Sequence, residues 1–518
     1  MPRRVAGLLA AAASLAAATG AAAHPAVVSG RAGGPAGPGV ERVTTGPARS
    51  LGEPAAAQDG AATAVAATSF AAAGPQAAVW TKRAGSTGWR RAGTILPPGF
   101  GSSYDPAAAA APGGPLLVVA GTAPPGEQCI TNGSVAIASV GSGGTLSAAR
   151  LVSDQRGTGR FDDRPMVAVG QHGTVWVAWS QGPAADACQN VGTGDRIEVA
   201  VSRDGGRTFG APVAMAADGG HSAFGVRLAP LADGQLAVSW TETTAAGRQA
   251  VLVSVLGADG RPRPPAAALT GDGPPLVLPG ASFYDFPAGD LAARPDGELV
   301  VAAPFWVSGR SVIKVAAGLP GGRWQQATLS PPADADLLLP ALGGQQAGDL
   351  RLLCAVHARA GDRLGYGWAD VTMAGQRPAV SPAGLTALTQ APPGPGFFEI
   401  GEELALSPTP DGLLAAVVVA GRDGATLETA AFSAPPADAS APGTAGSPAP
   451  ATRSPGTPRT SRETSPSAAP AADGWWLPGV AAAGLAAALC CVAAVAAVLL
   501  RRRRRGRPRH HPPAHRRR

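Results

Sequence analysis

Five places along the chain set an acidic, basic or aromatic side chain just before a short apolar run: Tyr104-Asp105, Asp162-Asp163-Arg164, His221 with Phe224, Tyr284-Asp285, and Phe398-Glu399. Brought to one end of a pore, such groups offer two kinds of chemistry. Guanidinium groups pair bidentately with a ligand carboxylate, and a Tyr activated by a neighbouring carboxylate can attack a glycosidic carbon while a second acid protonates the leaving group. Tyr284 and Glu399 would fill the second role, with Arg164 and Arg227 in the first. Two arginines are too few to preorganise a carboxylate for cleavage, so no residue is assigned a catalytic role. Tyr104, Asp105, Asp163, Arg164, His221, Arg227, Tyr284, Asp285 and Glu399 are read instead as binding residues at a channel mouth, although an Asp before a strand also caps a turn with no further role. The sequence holds no Ser/His/Asp arrangement, phosphate loop or Cys/His metal spacing, and neither a metal nor a cofactor is expected.

The elements that must position these residues recur. Gly turns fall at Pro112-Gly113-Gly114, His172-Gly173, Asp233-Gly234, Asp296-Gly297, Gly348-Asp349 and Asp411-Gly412, about sixty residues apart. Each precedes a continuous apolar run: 116–120, 175–179, 236–240, 299–303, 350–356 and 413–419. Consecutive apolar positions need cover on both faces, and radially stacked sheets supply it. Gly and Pro between the runs, with β-branched residues inside them, exclude helices. The predicted fold is all-β, a six-bladed β-propeller over residues 71–433. The strand pair at 77–96 completes the last blade and closes the ring, or forms a reduced seventh blade.

A hairpin is expected at Ser202-Arg203-Asp204-Gly205-Gly206-Arg207-Thr208-Phe209. Gly205 and Gly206 supply positive φ, the Asp204 carboxylate accepts from turn amides, Thr208 re-enters the sheet and Phe209 anchors it. Weaker copies stand at 81–87, 139–146 and around Gly321 and Trp324. Ser202, Asp204, Gly206, Thr208 and Phe209 form a Ser-x-Asp-x-Gly-x-Thr-aromatic pattern that resembles the Asp-box of bacterial-neuraminidase (BNR) repeats, found in sialidases and other β-propellers. By repeat pattern the resemblance covers about residues 77–433 and implies a sialidase-like fold, in which the box is a structural turn remote from the active site. Sialidases use three arginines, a Tyr/Glu pair and an Asp. Here there is no Phe-Arg-Ile-Pro motif, Arg164-Pro165 lacks its intervening residue, and Tyr104, Tyr284 and Tyr366 are the only tyrosines. The expected function is therefore a non-catalytic module for a glycan, cell-wall polymer or protein, with a diverged exo-sialidase-like glycoside hydrolase as the alternative.

Composition divides the rest of the chain. Lysine occurs only at Lys82 and Lys314 while Arg, Ala, Gly and Pro abound, the bias of a GC-rich bacterial genome. The formal charge of +7 arises in the tail: residues 501–518 hold ten arginines and no acid, and with Arg3 and Arg4 set aside the remainder carries −5, which argues against a nucleic-acid partner. Residues 1–23 read as a signal peptide, 24–70 as a flexible arm, and 434–474 as an extended Pro/Ser/Thr/Ala-rich stalk. Residues 475–500, opened by Trp475 and Trp476 and free of charge, read as one transmembrane helix ahead of Arg501. The positive-inside rule then puts the propeller outside the plasma membrane and 501–518 in the cytoplasm. Cys129 and Cys188 occupy the same loop of adjacent units in an oxidising compartment and are expected to form a disulfide.

Overall fold

The apolar second runs are strands without a wet face: Leu116–Ala123 is buried at every position, and Val175–Pro183 at all but its last. In the computed structural model they are the second strands of radially arranged sheets. The structure describes residues 39–433, apart from 45–50, 72–73, 111–113, 127–130, 184–195, 216–221, 245–246, 284, 345–349, 375–376, 392–402 and 422–423.

Seven antiparallel sheets form the ring. Their innermost strands are Leu51–Gln58, Ser102–Ala109, Arg160–Val169, Ser222–Pro230, Asp290–Ala293, Ala335–Gly344 and Ala405–Thr409. Each innermost strand packs against the next, and the seventh packs against the first. The apolar core is accordingly divided into interblade layers. One joins Ala64 and Val79 of blade 1 to Val118 and Ala136 of blade 2, another joins Leu353 and Tyr366 of blade 6 to Leu413 and Val417 of blade 7, and a third joins blade 7 back to Val65 and Ala67 of blade 1. The protein is an all-β, seven-bladed β-propeller.

Two expectations are corrected. The ring has seven blades, and blade 1 is complete, with Leu51–Gln58 and Ala62–Ala71 inside Gly74–Arg83 and Arg90–Thr94. The strands at 77–96 are therefore the outer half of blade 1. Closure is made by Gly39–Arg42, which pairs with Gly424–Ser433 in antiparallel register, Gly39 opposite Ala431 and Arg42 opposite Glu428. Gly39–Arg42, Leu51–Gln58 and most of Ala62–Ala71 lie in the segment 24–70 read as an arm. Its Ala-rich composition carries no periodic apolar signal, yet Ala55, Ala57, Ala62, Ala64 and Ala66 are buried, because a Cβ is enough where neighbouring sheets approach closely.

The Ser202–Phe209 stretch joins the third and outermost strands of blade 3. Asp204 is its hub: the carboxylate accepts from the Arg207 and Thr208 amides, both at 2.9 Å, from Thr208 Oγ1 at 2.7 Å and from Ser202 Oγ at 2.7 Å. Gly205 and Gly206 have φ of 74° and 83°. Thr208 stays in the turn, the outermost strand begins at Val213, and Phe209 packs on the blade 2–3 layer. The turn also ties blades together. Arg150 of blade 2 donates to the Gly206 carbonyl, as Arg83 and Arg90 of blade 1 donate to Gly143 at the matching turn of blade 2.

Candidate functional site

Five innermost strands carry the same irregularity near their start. Against the second strand, one extra residue is inserted between Gly52 and Ala55, Tyr104 and Ala107, Asp163 and Met166, Phe224 and Arg227, and Leu338 and Ala341. The inserted turn has positive φ at Glu53 (55°), Asp105 (47°), Arg164 (50°), Gly225 (64°) and Leu339 (47°). Four of these residues precede a proline, which has no N–H to leave unpaired where the ladder breaks. Only Gly225 adopts this backbone without steric cost; at the others it costs on the order of 1 kcal/mol or more.

These side chains are held inside the ring. Glu53 accepts from Thr68 Oγ1 at 2.6 Å, and the Asp105 amide donates to both Glu53 and Thr68 at 3.1 Å. Arg164 of blade 3 lies over the Phe286 ring of blade 5 at 3.9 Å, and Phe286 meets the Phe224 ring of blade 4 edge-on at 4.9 Å. Arg227 lies deeper. Its Nε is 3.3 Å from Asp290 Oδ1, its Nη1 is 3.0 Å from Glu403 Oε1, and Nη1 donates to the Val226 carbonyl. Asp290 also accepts from the Leu291 and Leu342 amides. Burial raises the carboxyls of Asp290 and Glu403 above the usual range, and Arg227 pulls both back down.

Of the residues expected at a channel mouth, Asp163, Arg164, Arg227, Tyr104, Asp105 and Asp285 lie in this region, mostly buried. Tyr104 is shut in by Gly121, where any Cβ would strike its ring. Asp285 is 1 % exposed and no described side chain donates to its carboxylate; burial first, and the Asp336 charge second, push it up to about 8. Asp336 is held ionised by Arg359 at 2.7 and 2.8 Å and by the Ser311 amide. His221, Tyr284, Glu399, Cys129 and Cys188 lie outside the described residues. Glu53, Asp290 and Glu403 were not anticipated. Their signal is register: Arg227 and Asp290 each stand seven residues before their blade's Gly turn, and Glu403 aligns with Arg164 in the same count.

Below this ring runs a cavity of about 1080 Å³ along the axis. It extends from Arg227, Asp290 and Glu403 to the Gly turns at the far ends of the innermost strands, between walls that include Ala107, Met166, Leu228 and Leu291. His172, Ala232, Pro295 and Pro408 at the turn end are exposed, whereas Glu53, Arg164 and Leu339 at the other are buried. Among the described residues the cavity therefore opens on the turn face, opposite to the end expected from the sequence. Among those residues, too, no helix is long and apolar enough to cross a membrane and no group of three His, Cys, Asp or Glu is placed to hold a metal. The 475–500 run lies outside them.

No protein-family model matches the chain, and no curated protein matches it in sequence. Solved structures similar to it include an ulvan lyase, a polysaccharide lyase bound to a glucuronyl–sulfated rhamnose unit, at 12% identity over 74% of this chain and 94% of that one, with a TM-score of 0.47. A Hadza microbial sialidase is 13% identical over 70% of this chain and 74% of that one (TM-score 0.43), and the Penicillium chrysogenum α-L-arabinanase 12% identical over 68% and 98% (TM-score 0.39).

Proposed function

We propose that the protein is an exported propeller, tethered through residues 475–500, that binds a glycan, cell-wall polymer or protein without cleaving it. The observation that carries this reading is the engagement of Arg227 by both Asp290 and Glu403. A guanidinium already paired with two carboxylates has no edge left for the bidentate capture of a substrate carboxylate. Arg164 is stacked on Phe286, and the described tyrosines are buried, Tyr366 with its hydroxyl donated to the Val418 carbonyl. The described residues around the bulges hold Glu53, Asp105, Asp163, Asp290 and Glu403 against Arg164 and Arg227, while Asp285 keeps its proton near neutral pH, and that acidic balance disfavours an anionic sugar. Neutral or basic polymers fit that balance.

The test incubates purified full-length protein with isolated bacterial cell-wall polymer and with neutral glycans. It measures retention on the polymer alongside reducing ends and free sialic acid. Retention without product is expected. Turnover of a fluorogenic sialoside, abolished by Tyr284→Phe, would establish the hydrolase instead.

A further inference from the structure

We infer that the axial cavity is a binding site of its own, entered from the turn face, for a small molecule with an apolar body and a protonated amine at its leading end. This is independent of polymer binding. At about 1080 Å³ the cavity is at the upper end of the ~300–1000 Å³ range of small-molecule sites, and like them it has apolar walls and a few convergent polar groups.

The floor selects the end group. Its charges are one guanidinium and two carboxylates, and the carboxylates are the more open: the side chains of Asp290 and Glu403 are 17% and 13% exposed, that of Arg227 9%. Asp290 is filled by Arg227, Leu291 and Leu342, so its lone pairs are committed. Glu403 lines the cavity and gives Oε1 to Arg227, and no described residue donates to its second oxygen, Oε2. An apolar body entering the channel strips water from that oxygen, which is unfavourable unless the ligand brings a donor. A carboxylate or phosphate brings none and meets the carboxyl groups of Asp290 and Glu403. An ammonium replaces the lost water with a charge-assisted hydrogen bond. Among the described residues the bulge side chains Glu53, Arg164 and Leu339 at the opposite end are buried, so the ligand lies with its amine inward and its body toward His172 and Pro295.

The test uses full-length protein in nanodiscs, with empty nanodiscs as control, and two probes of one shape: cyclohexylmethylammonium and cyclohexanecarboxylate. Titration calorimetry should show the ammonium bound at least roughly tenfold more tightly, the order that one hydrogen bond to a charged group supplies. Glu403→Gln should abolish the preference. Ala405→Phe, at a partly exposed wall position that makes none of the ion pairs, should abolish binding by filling the channel, and it decides the matter if the Glu403 variant does not fold. Equal affinity for the two probes, absence of ammonium binding at millimolar concentration, or unchanged binding to Ala405→Phe would overturn the proposal.

Discussion

Arg227 reaches from blade 4 to Glu403 of blade 7, Nη1 to Oε1 at 3.0 Å, while its Nε holds Asp290 of blade 5. One side chain thus staples three blades around the axis. Removing one partner of a buried pair strands the others without compensation, at about 3–5 kcal/mol. Arg227→Met should therefore lower the melting temperature markedly, and adding Glu403→Met and Asp290→Asn should restore most of it. A single variant that melts with the wild type would show that the staple contributes nothing.

Asp285 should make stability fall as pH rises. Its carboxyl is pushed up to about 8 from an ordinary 3.8, so the folded protein keeps a proton that the unfolded chain releases. The stability tied to that proton is whole below about pH 4 and declines between there and about pH 8. Asp285→Asn keeps the shape and removes the titration. Its melting temperature should match wild type at pH 4 and exceed it increasingly toward pH 8, and a difference independent of pH would contradict this.

Asp204 has the opposite sign. Thr208, through hydroxyl and amide, and Ser202 hold its carboxyl far below the usual range, so its contribution is present at neutral pH and disappears as the pH falls below about 4. Because the turn is exposed, the loss in Asp204→Ala should be local. Amide exchange at Arg207 and Thr208 should accelerate with little change in overall melting, and unchanged exchange at both would remove the carboxylate's role.

The proposed topology, with residues 24–474 outside and 501–518 inside, is tested by protease added to intact cells, which should digest the propeller and spare a C-terminal epitope. Loss of that epitope would reverse the orientation.

A Cys129–Cys188 bridge should appear as one linked peptide in non-reducing maps. Alkylation of both thiols without reductant would exclude it.

Much of the ring was legible because each blade repeats one instruction: a Gly turn, then a strand too apolar to tolerate water on either face. That instruction failed at blade 1. Leu51–Gln58 and Ala62–Ala71 are built mainly from Ala, which buries well but carries no contrast between strand and linker. The closing strand fails for a related reason, since Gly39–Arg42 has one large apolar residue, Val40, and that one is exposed. Of the candidate site only single charges were legible, and not their partnership. Arg164 and Arg227 stand out as charges at strand starts, yet nothing local pairs Arg227 with Glu403 or lays Arg164 on Phe286. Those contacts exist only once the ring has closed.

Closure has a consequence for how the chain could be rewired. Gly39 lies opposite Ala431 on the edge of blade 7, and Ser433 lies opposite Gly412, at the turn end of the ring. A short loop from 433 to 39 would turn two paired chain ends into one hairpin, after which the chain could be cut anew at the Ser308-Gly309 hairpin of blade 5. Every sheet and every interblade layer would survive this circular permutation, with the single chain break moved from blade 7 to blade 5. The position at which synthesis begins is then an accident of the gene, and the fold itself has no first blade.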